Sequence, residues 1–259
     1  MDSSSSYGRS WPMFEHVPSH VQQEYAGKTL LWCSSDSEQD YFENLKNNQR
    51  HELLLHNGWI DRKIEYQFNA QGFRSREIDL TRPGFAVFGC SFTQGLGLPI
   101  WDLYHNRISK ELGIPVDNFG VLGASNGLIF RLAYYWLPII KPRFVILQTT
   151  FRERFEIINQ HNVSTVMSPA FPQSASVQEV FQNWWFTDDN SIADKQRNEL
   201  AIQQVCHRLG IPVHVIDVED FRNPVLGLSR DLTHPGPPSH HRVHAQIIDH
   251  LKHIKDMHV

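Results

Sequence analysis

The stretch Phe85-Ala86-Val87-Phe88-Gly89-Cys90-Ser91-Phe92-Thr93-Gln94-Gly95-Leu96-Gly97 decides the fold. Its first four residues form an unbroken apolar run, the pattern of a strand buried on both faces, and the small residues that follow turn the chain. Helical spacing resumes with Trp101, Tyr104, Ile108 and Leu112 and stops at Gly113. A strand, a turn and an amphipathic helix in that order make the first unit of a parallel α/β sheet. In open sheets of this kind ligands bind beyond the carboxyl ends of the strands, which is where Ser91 falls.

Downstream the alternation repeats. Val116 to Phe119 reads as a second strand. Leu128, Ile129, Leu132, Tyr135 and Trp136 mark a helix expected to end at Pro138, and Phe144-Val145-Ile146-Leu147 is a third strand. Residues 152–190 lack a clear period and are expected to form a long insertion, whose Trp184-Trp185-Phe186 cluster either lines a pocket or makes a satellite core. Leu200, Val205 and Leu209 belong to a helix capped by Gly210, and Val213 to Val218 is a strand. After Pro238, the residues Val243, Ile247, Ile248, Leu251 and Ile254 share one face of a last helix.

Upstream, residues 1–80 are polar and dotted with aromatics such as Trp11, Trp32 and Trp59. They read as an N-terminal extension of unclear fold packed on a main domain over 81–259. The extension ends in Phe68-Asn69-Ala70-Gln71-Gly72-Phe73-Arg74, where Asn and Gly predict a turn and the flanking aromatics predict short strands.

Composition narrows the function. The 259 residues are 20% charged and 41% hydrophobic, with a net charge of −4, so no basic field exists to hold a nucleic acid. Three scattered cysteines, Cys33, Cys90 and Cys206, form no CxxC pair and indicate neither a disulfide framework nor a zinc knuckle. The Ser-rich first ten residues lack the pattern of a secretory signal, and no apolar stretch approaches the roughly 18 residues that span a bilayer. The expectation is a cytoplasmic protein with no membrane partner.

Two segments carry the chemistry. Ser91 stands in the turn after the first strand. Asp231-Leu232-Thr233-His234-Pro235 lies between the last strand and the last helix, which brings Asp231 and His234 to the same sheet edge despite about 140 residues of separation. A serine hydroxyl needs a base to take its proton, and a neutral imidazole suits that task. A carboxylate on the other ring nitrogen fixes the tautomer and stabilises the imidazolium, and Asp231 is near enough in sequence to do so. Ser91 is therefore the candidate nucleophile, His234 the base and Asp231 its orienting partner. A phosphate-cradling loop is a rival, but neither GxGxxG nor a Gly-Lys-Ser/Thr ending is present. A bland glycine-rich turn with a capping hydroxyl is another. Cys90 is a competing nucleophile, adjacent to Ser91. His240 and His244 have the i, i+4 spacing of a zinc pair, yet lack a neighbouring glutamate or third ligand, and read better as a solvated polar face. No cofactor or metal is expected.

Taken together these blocks resemble the SGNH, or GDSL-like, esterases and lipases. Gly89-Cys90-Ser91-Phe92-Thr93-Gln94-Gly95 is similar to the first block, Gly-Asp-Ser-x-Thr-x-Gly, and Asp231 to Pro235 is similar to the last, Asp-x-x-His-Pro. Asn118-Phe119-Gly120-Val121-Leu122-Gly123-Ala124-Ser125 looks like the second, with its glycine at Gly123, and Phe68 to Arg74 looks like a lead-in found in some members. The resemblance runs from about residue 84 to 255. It implies a three-layer α/β/α sandwich, flavodoxin-like, with about five parallel strands, and an oxyanion hole made by the Ser91 and Gly123 backbone N–H groups and a third donor.

Two departures accompany the likeness. Cys90 stands where the block has Asp, and Gln148-Thr149-Thr150-Phe151-Arg152-Glu153-Arg154 replaces the block that supplies an oxyanion Asn. Counting from the strand makes Arg152 the substitute donor, with Arg154 beside it and the Asn126 amide as second choice; surface pairing of both arginines with Glu153 or Glu156 is the alternative. The implied activity is hydrolysis of a small acyl ester, such as an acetyl ester borne on a carbohydrate, through an acyl-enzyme. Transfer of the acyl group to an alcohol, and a catalytically weak scaffold used for binding, remain open beside it.

Overall fold

A computed structural model describes residues 22–158, 164–168, 179, 181–183, 185, 187–223 and 226–255. The elements are β1 (Thr29–Leu30), α1 (Glu38–Lys46), α2 (Asn48–His56), β2 (Tyr66–Gln67), β3 (Phe85–Gly89), α3 (Ser91–Gln94), α4 (Tyr104–Leu112), β4 (Val116–Gly120), α5 (Asn126–Ile140), β5 (Val145–Thr149), β6 (Phe155–Ile158), β7 (Ser164–Met167), α6 (Asp188–Leu209), β8 (Val213–Asp217) and α7 (Pro237–Lys255).

Strands β3, β4, β5 and β8 form one parallel sheet in the order β4-β3-β5-β8, with Phe88 opposite both Phe119 and Leu147. Every residue of β3, β4 and β5 is buried, which explains why their sequences show no inside-outside alternation. Right-handed crossovers in this order put α4 on one face and α5 with α6 on the other. The helix contacts agree, since α5 packs on α6 and α4 on α7. The layers are α/β/α, with four strands among the described residues where about five were expected.

Strand order reverses between β3 and β5, and the crevice beyond their carboxyl ends is the place where such sheets bind ligands. Phe88 and Phe119 stack at 4.9 Å with Phe73 edge-on, in a core that also takes in Trp136, Ile146 and Val243. Burying each such side chain is worth about 2 kcal/mol.

Two expectations need correcting. Helix α5 does not end at Pro138 but runs on to Ile140. Proline removes one bond to the carbonyl four residues back, but Pro138 and Tyr134 are both exposed, so the loss falls on the solvent side of the helix and not in the core. Buried Leu137 and Ile140 hold the last turn to the core. The 152–190 stretch is not wholly irregular, since β6 pairs antiparallel with β7 and α6 begins at Asp188. Trp185 packs on Phe155 at 4.5 Å, a satellite contact, whereas Trp184 and Phe186 lie outside the described residues.

Before the sheet, β1 pairs with β2, and α1 and α2 begin at side-chain caps from Ser37 and Asn47. This region has its own apolar cluster of Leu54, Trp59, Ile64, Tyr66 and Phe68, completed by Leu96, Leu98 and Leu103 from the loop after Ser91. The expected Asn69–Gly72 turn is present, with Gly72 at φ 85°. Arg74, fully buried, stacks on Tyr66 and donates to the carbonyls of Glu65, Gln94, Gly95 and Leu98. Burial lowers its pKa to about 10. Among the described residues no helix is long and apolar enough to cross a membrane.

Candidate active site

Strand β3 delivers the chain to Cys90, which stays extended, and Ser91 is the first residue of α3. The N–H groups of a helix's first turn have no intrahelical acceptor, so the Ser91 amide is free of the ladder. Gln148, at the end of the neighbouring β5, pins the turn: its Oε1 accepts from Cys90 N and Thr93 Oγ1, both at 3.0 Å. Gly120 lies so close behind that a Cβ there would stand 2.4 Å from the Gln94 backbone nitrogen, which only glycine avoids. The Cys90 thiol belongs to the apolar core, with no exposed surface.

The other segment folds into a closed loop. Leu228 and Pro235 bridge its base, Ser229 N donates to His234 O at 2.9 Å, and Leu232 turns the chain at φ 55°. That left-handed conformation costs a leucine on the order of 1 kcal/mol and is held by the surrounding bonds. It folds His234 back over Asp231.

The geometry is a continuous line of hydrogen bonds. Asp231 Oδ2 lies 2.6 Å from His234 Nδ1, and His234 Nε2 lies 2.9 Å from Ser91 Oγ. Asp231 Oδ1 accepts from Ser229 Oγ at 2.6 Å and from the backbone N–H groups of Thr233 and His234, both at 3.0 Å. Its Oδ2 also accepts from Ser35 Oγ at 2.7 Å. Burial opposes ionisation of Asp231, but the His234 contact and the Ser229 and Ser35 hydroxyls outweigh it and hold the carboxyl well below the usual carboxylate range. An ionised Asp231 can only accept, so Nδ1 carries the imidazole proton and Nε2 is left to accept from Ser91. Phe92 meets the His234 ring edge-on at 5.5 Å.

Ser91, His234 and Gly123 line one cavity of about 1450 Å³. Its walls are apolar at Phe92, Leu122, Phe151 and Phe221 and polar at Ser34, Ser35, Glu153, Arg154 and Arg222. Gly123 sits at φ 65°.

The expected third donor is a different matter. Arg152 bonds Asp188 at 2.7 Å and Glu153 at 3.2 Å and does not line the cavity, because the chain after β5 turns its side chain toward the start of α6. Arg154 does line it, with its guanidinium 4.8 Å from the Phe151 ring centre. The Asn126 amide is committed elsewhere: it accepts from Thr150 N at 2.9 Å and donates to Thr150 O at 3.3 Å, tying the start of α5 to the end of β5.

His240 is not on a solvated face. It is buried against Tyr104 and Phe221, and burial, with His105 nearby, drives its pKa far below that of free histidine. His244 bonds Glu111 at 2.9 Å. Among the described residues no three His, Cys, Asp or Glu side chains are grouped to hold a metal ion.

Sequence reasoning did not find Ser35, Ser229 or Gln148. Gln148 left a trace, a polar residue directly after the apolar run Phe144 to Leu147. Ser35 left none.

Compared with known proteins, the chain matches no family model and no curated sequence. Among solved structures it is similar to a protein described as a GDSL-like lipase from Bacteroides ovatus, at 17% identity over 68% of this chain and 54% of that one, with a TM-score of 0.35. It is also similar to a lipase/acylhydrolase from Enterococcus faecalis, at 14% identity over 66% of this chain and 95% of that one, TM-score 0.33. A psychrotrophic esterase, EstA, from Pseudoalteromonas matches at 13% identity over 66% of this chain and 98% of that one, TM-score 0.35. The chain thus spans about half of the first of these and nearly all of the other two.

Proposed function

We propose that the chain is a serine hydrolase of the SGNH, GDSL-like kind that cleaves a small acyl ester through an acyl-enzyme. The observation that carries this reading is the hydrogen-bonded line from Ser91 through His234 to the buried, ionised Asp231. Ser91 Oγ attacks the ester carbonyl carbon while His234 Nε2 takes its proton, and Asp231 stabilises the imidazolium. The tetrahedral oxyanion is held by the Ser91 and Gly123 N–H groups. The third donor falls to Arg154 rather than Arg152, since only Arg154 lines the cavity. Each such donor is worth roughly 100- to 1,000-fold in turnover. The intermediate collapses with the alcohol leaving on the His234 proton. Water then attacks the acyl-enzyme with His234 again as base, releasing the acid and restoring Ser91.

The cavity is far larger than an acetyl group fills, so it has room for a bulky alcohol portion beside a small acyl group, as in an acetylated carbohydrate. The test is hydrolysis of short-chain aryl esters by the native chain and by Ser91→Ala, together with labelling by a fluorophosphonate. Loss of both turnover and labelling in the variant is expected, and equal turnover in the two proteins overturns the reading.

A further inference from the structure

The carboxylate oxygen that meets the His234 imidazole has a second partner, and it comes from the far end of the chain. Ser35 lies 196 residues before Asp231 in sequence and gives Oδ2 a hydrogen bond of 2.7 Å. It sits in a tight turn closed by reciprocal backbone bonds between Cys33 and Asp36, with Ser34 at φ 51°. The turn is anchored to the Asp231 loop next door: Asp36 pairs with Arg230 through two bonds of 2.8 and 2.7 Å, both side chains buried, and Arg230 stacks on Trp32 at 4.0 Å. Asp36 also accepts from the Tyr66 hydroxyl. Trp59 Nε1 donates to Leu228 O, and Asn57 Oδ1 accepts from Leu228 N, at the base of the same loop. The N-terminal region is thereby clamped onto the loop that carries Asp231 and His234, at Leu228, Arg230 and Asp231.

We infer that Ser35 is a positioning residue for the Asp231–His234 pair, so that the N-terminal region completes the active site rather than merely flanking it. The inference rests on the serine hydrolase reading above. Ser35 touches no reacting atom. Its hydroxyl shares the charge of Oδ2 with His234 and, with the three donors on Oδ1, holds the rotation of the carboxylate so that the lone pair left for Nδ1 points at the imidazole. Without that donor the carboxylate charge falls more heavily on Nδ1–H and stabilises the imidazolium further, while the carboxylate is freer to turn.

Other charges around His234 are unaltered by removing one neutral hydroxyl. Arg230 is neutralised by Asp36, and His240, on α7, is buried and uncharged. Glu153 and Arg154 from the β5–β6 loop and Arg222 after β8 line the cavity.

The test is Ser35→Ala in the full chain, with native protein and Ser35→Thr alongside, read by ester hydrolysis across pH and by thermal melting. Expected are a roughly ten-fold fall in kcat with KM little changed, an acid limb of the kcat/KM profile displaced to higher pH, and recovery of both by Thr, which keeps the hydroxyl. A kcat and profile equal to native overturn the inference. So does a loss that Thr fails to restore, since that is a packing effect. If the alanine variant does not fold, Ser35→Cys, close in size and a far weaker donor, takes its place in the comparison with Thr. Ser91→Ala separates the two claims. Turnover surviving that substitution sinks the hydrolase reading itself, whereas turnover that needs Ser91 but ignores Ser35 sinks only this one.

Discussion

Replacing Asp231 by Asn changes one atom and tests the proposed chemistry at its base. The carboxylate receives five donors: Ser229 Oγ, Thr233 N and His234 N on Oδ1, and Ser35 Oγ and His234 Nδ1 on Oδ2. Asparagine keeps one oxygen. Two of the three donors on Oδ1 are backbone N–H groups that cannot become acceptors, so the amide oxygen stays there and the NH₂ takes the place of Oδ2. The Ser35 hydroxyl can rotate and accept. His234 Nδ1 can accept only by giving up its proton, which moves to Nε2. Nε2 then presents a donor to Ser91 and has no lone pair for the serine proton. The substitution therefore leaves the fold and substrate binding in place and removes the base. A fall in kcat of roughly ten-thousandfold is expected, with KM near native. Initial rates on an aryl acetate near neutral pH measure it, with a thermal melt to show that the variant is folded. A folded Asn variant within ten-fold of native kcat refutes the tautomer argument and with it the role given to Asp231.

The same residue makes a prediction about acid stability. The pKa of Asp231 is depressed on folding, so the stability it contributes is fully present above the unfolded carboxylate value of about 3.9 and is lost as pH falls through and below it. Chemical unfolding of native and Asp231→Asn chains between pH 6 and pH 3 is expected to show a gap that narrows on acidification; a constant gap counts against it. A third prediction concerns Asp36, whose removal leaves Arg230 buried without its counter-charge. Asp36→Leu is expected to cost about 3–5 kcal/mol, or roughly 6–10 °C in melting temperature for a chain of this size. Asp36→Leu combined with Arg230→Met restores much of that loss. A single variant that melts within a degree or two of native shows that the pair is not the clamp described here.

Much of this arrangement was written locally in the chain. Strands β3 and β5 were legible because burial on both faces leaves apolar runs that no loop tolerates, β8 because its apolar residues alternate, and Gly113 and Gly210 marked helix ends because both sit at positive φ. Ser91, Asp231 and His234 were legible for a topological reason: parallel strands deliver their following loops to one edge, so a serine after the first and an Asp-x-x-His after the last must face the same crevice. Which of the two arginines after β5 faces the cavity was not, because ungapped counting from β5 assumes a direction for the following loop. Arg152 and Arg154 stand two positions apart, and only the path after Thr149 decides which faces the cavity.

The N-terminal region was illegible for a different reason, and that reason bears on what it does. Its elements are short, and its apolar cluster is closed by Leu96, Leu98 and Leu103 from beyond the first sheet strand, so no periodicity of its own could reveal it. Its buried charged residues, Asp36 and Arg74, are matched to partners up to 194 residues away. A buried charge without such partners costs several kcal/mol, and neither half of the chain contains both members of the Asp36–Arg230 pair. A polar, aromatic-dotted stretch of this kind is what a segment looks like when the surface it covers is itself polar. Here that surface is the loop of Arg230, Asp231 and His234, and the excess of polar groups that hid the region's fold is the complement of the site it closes.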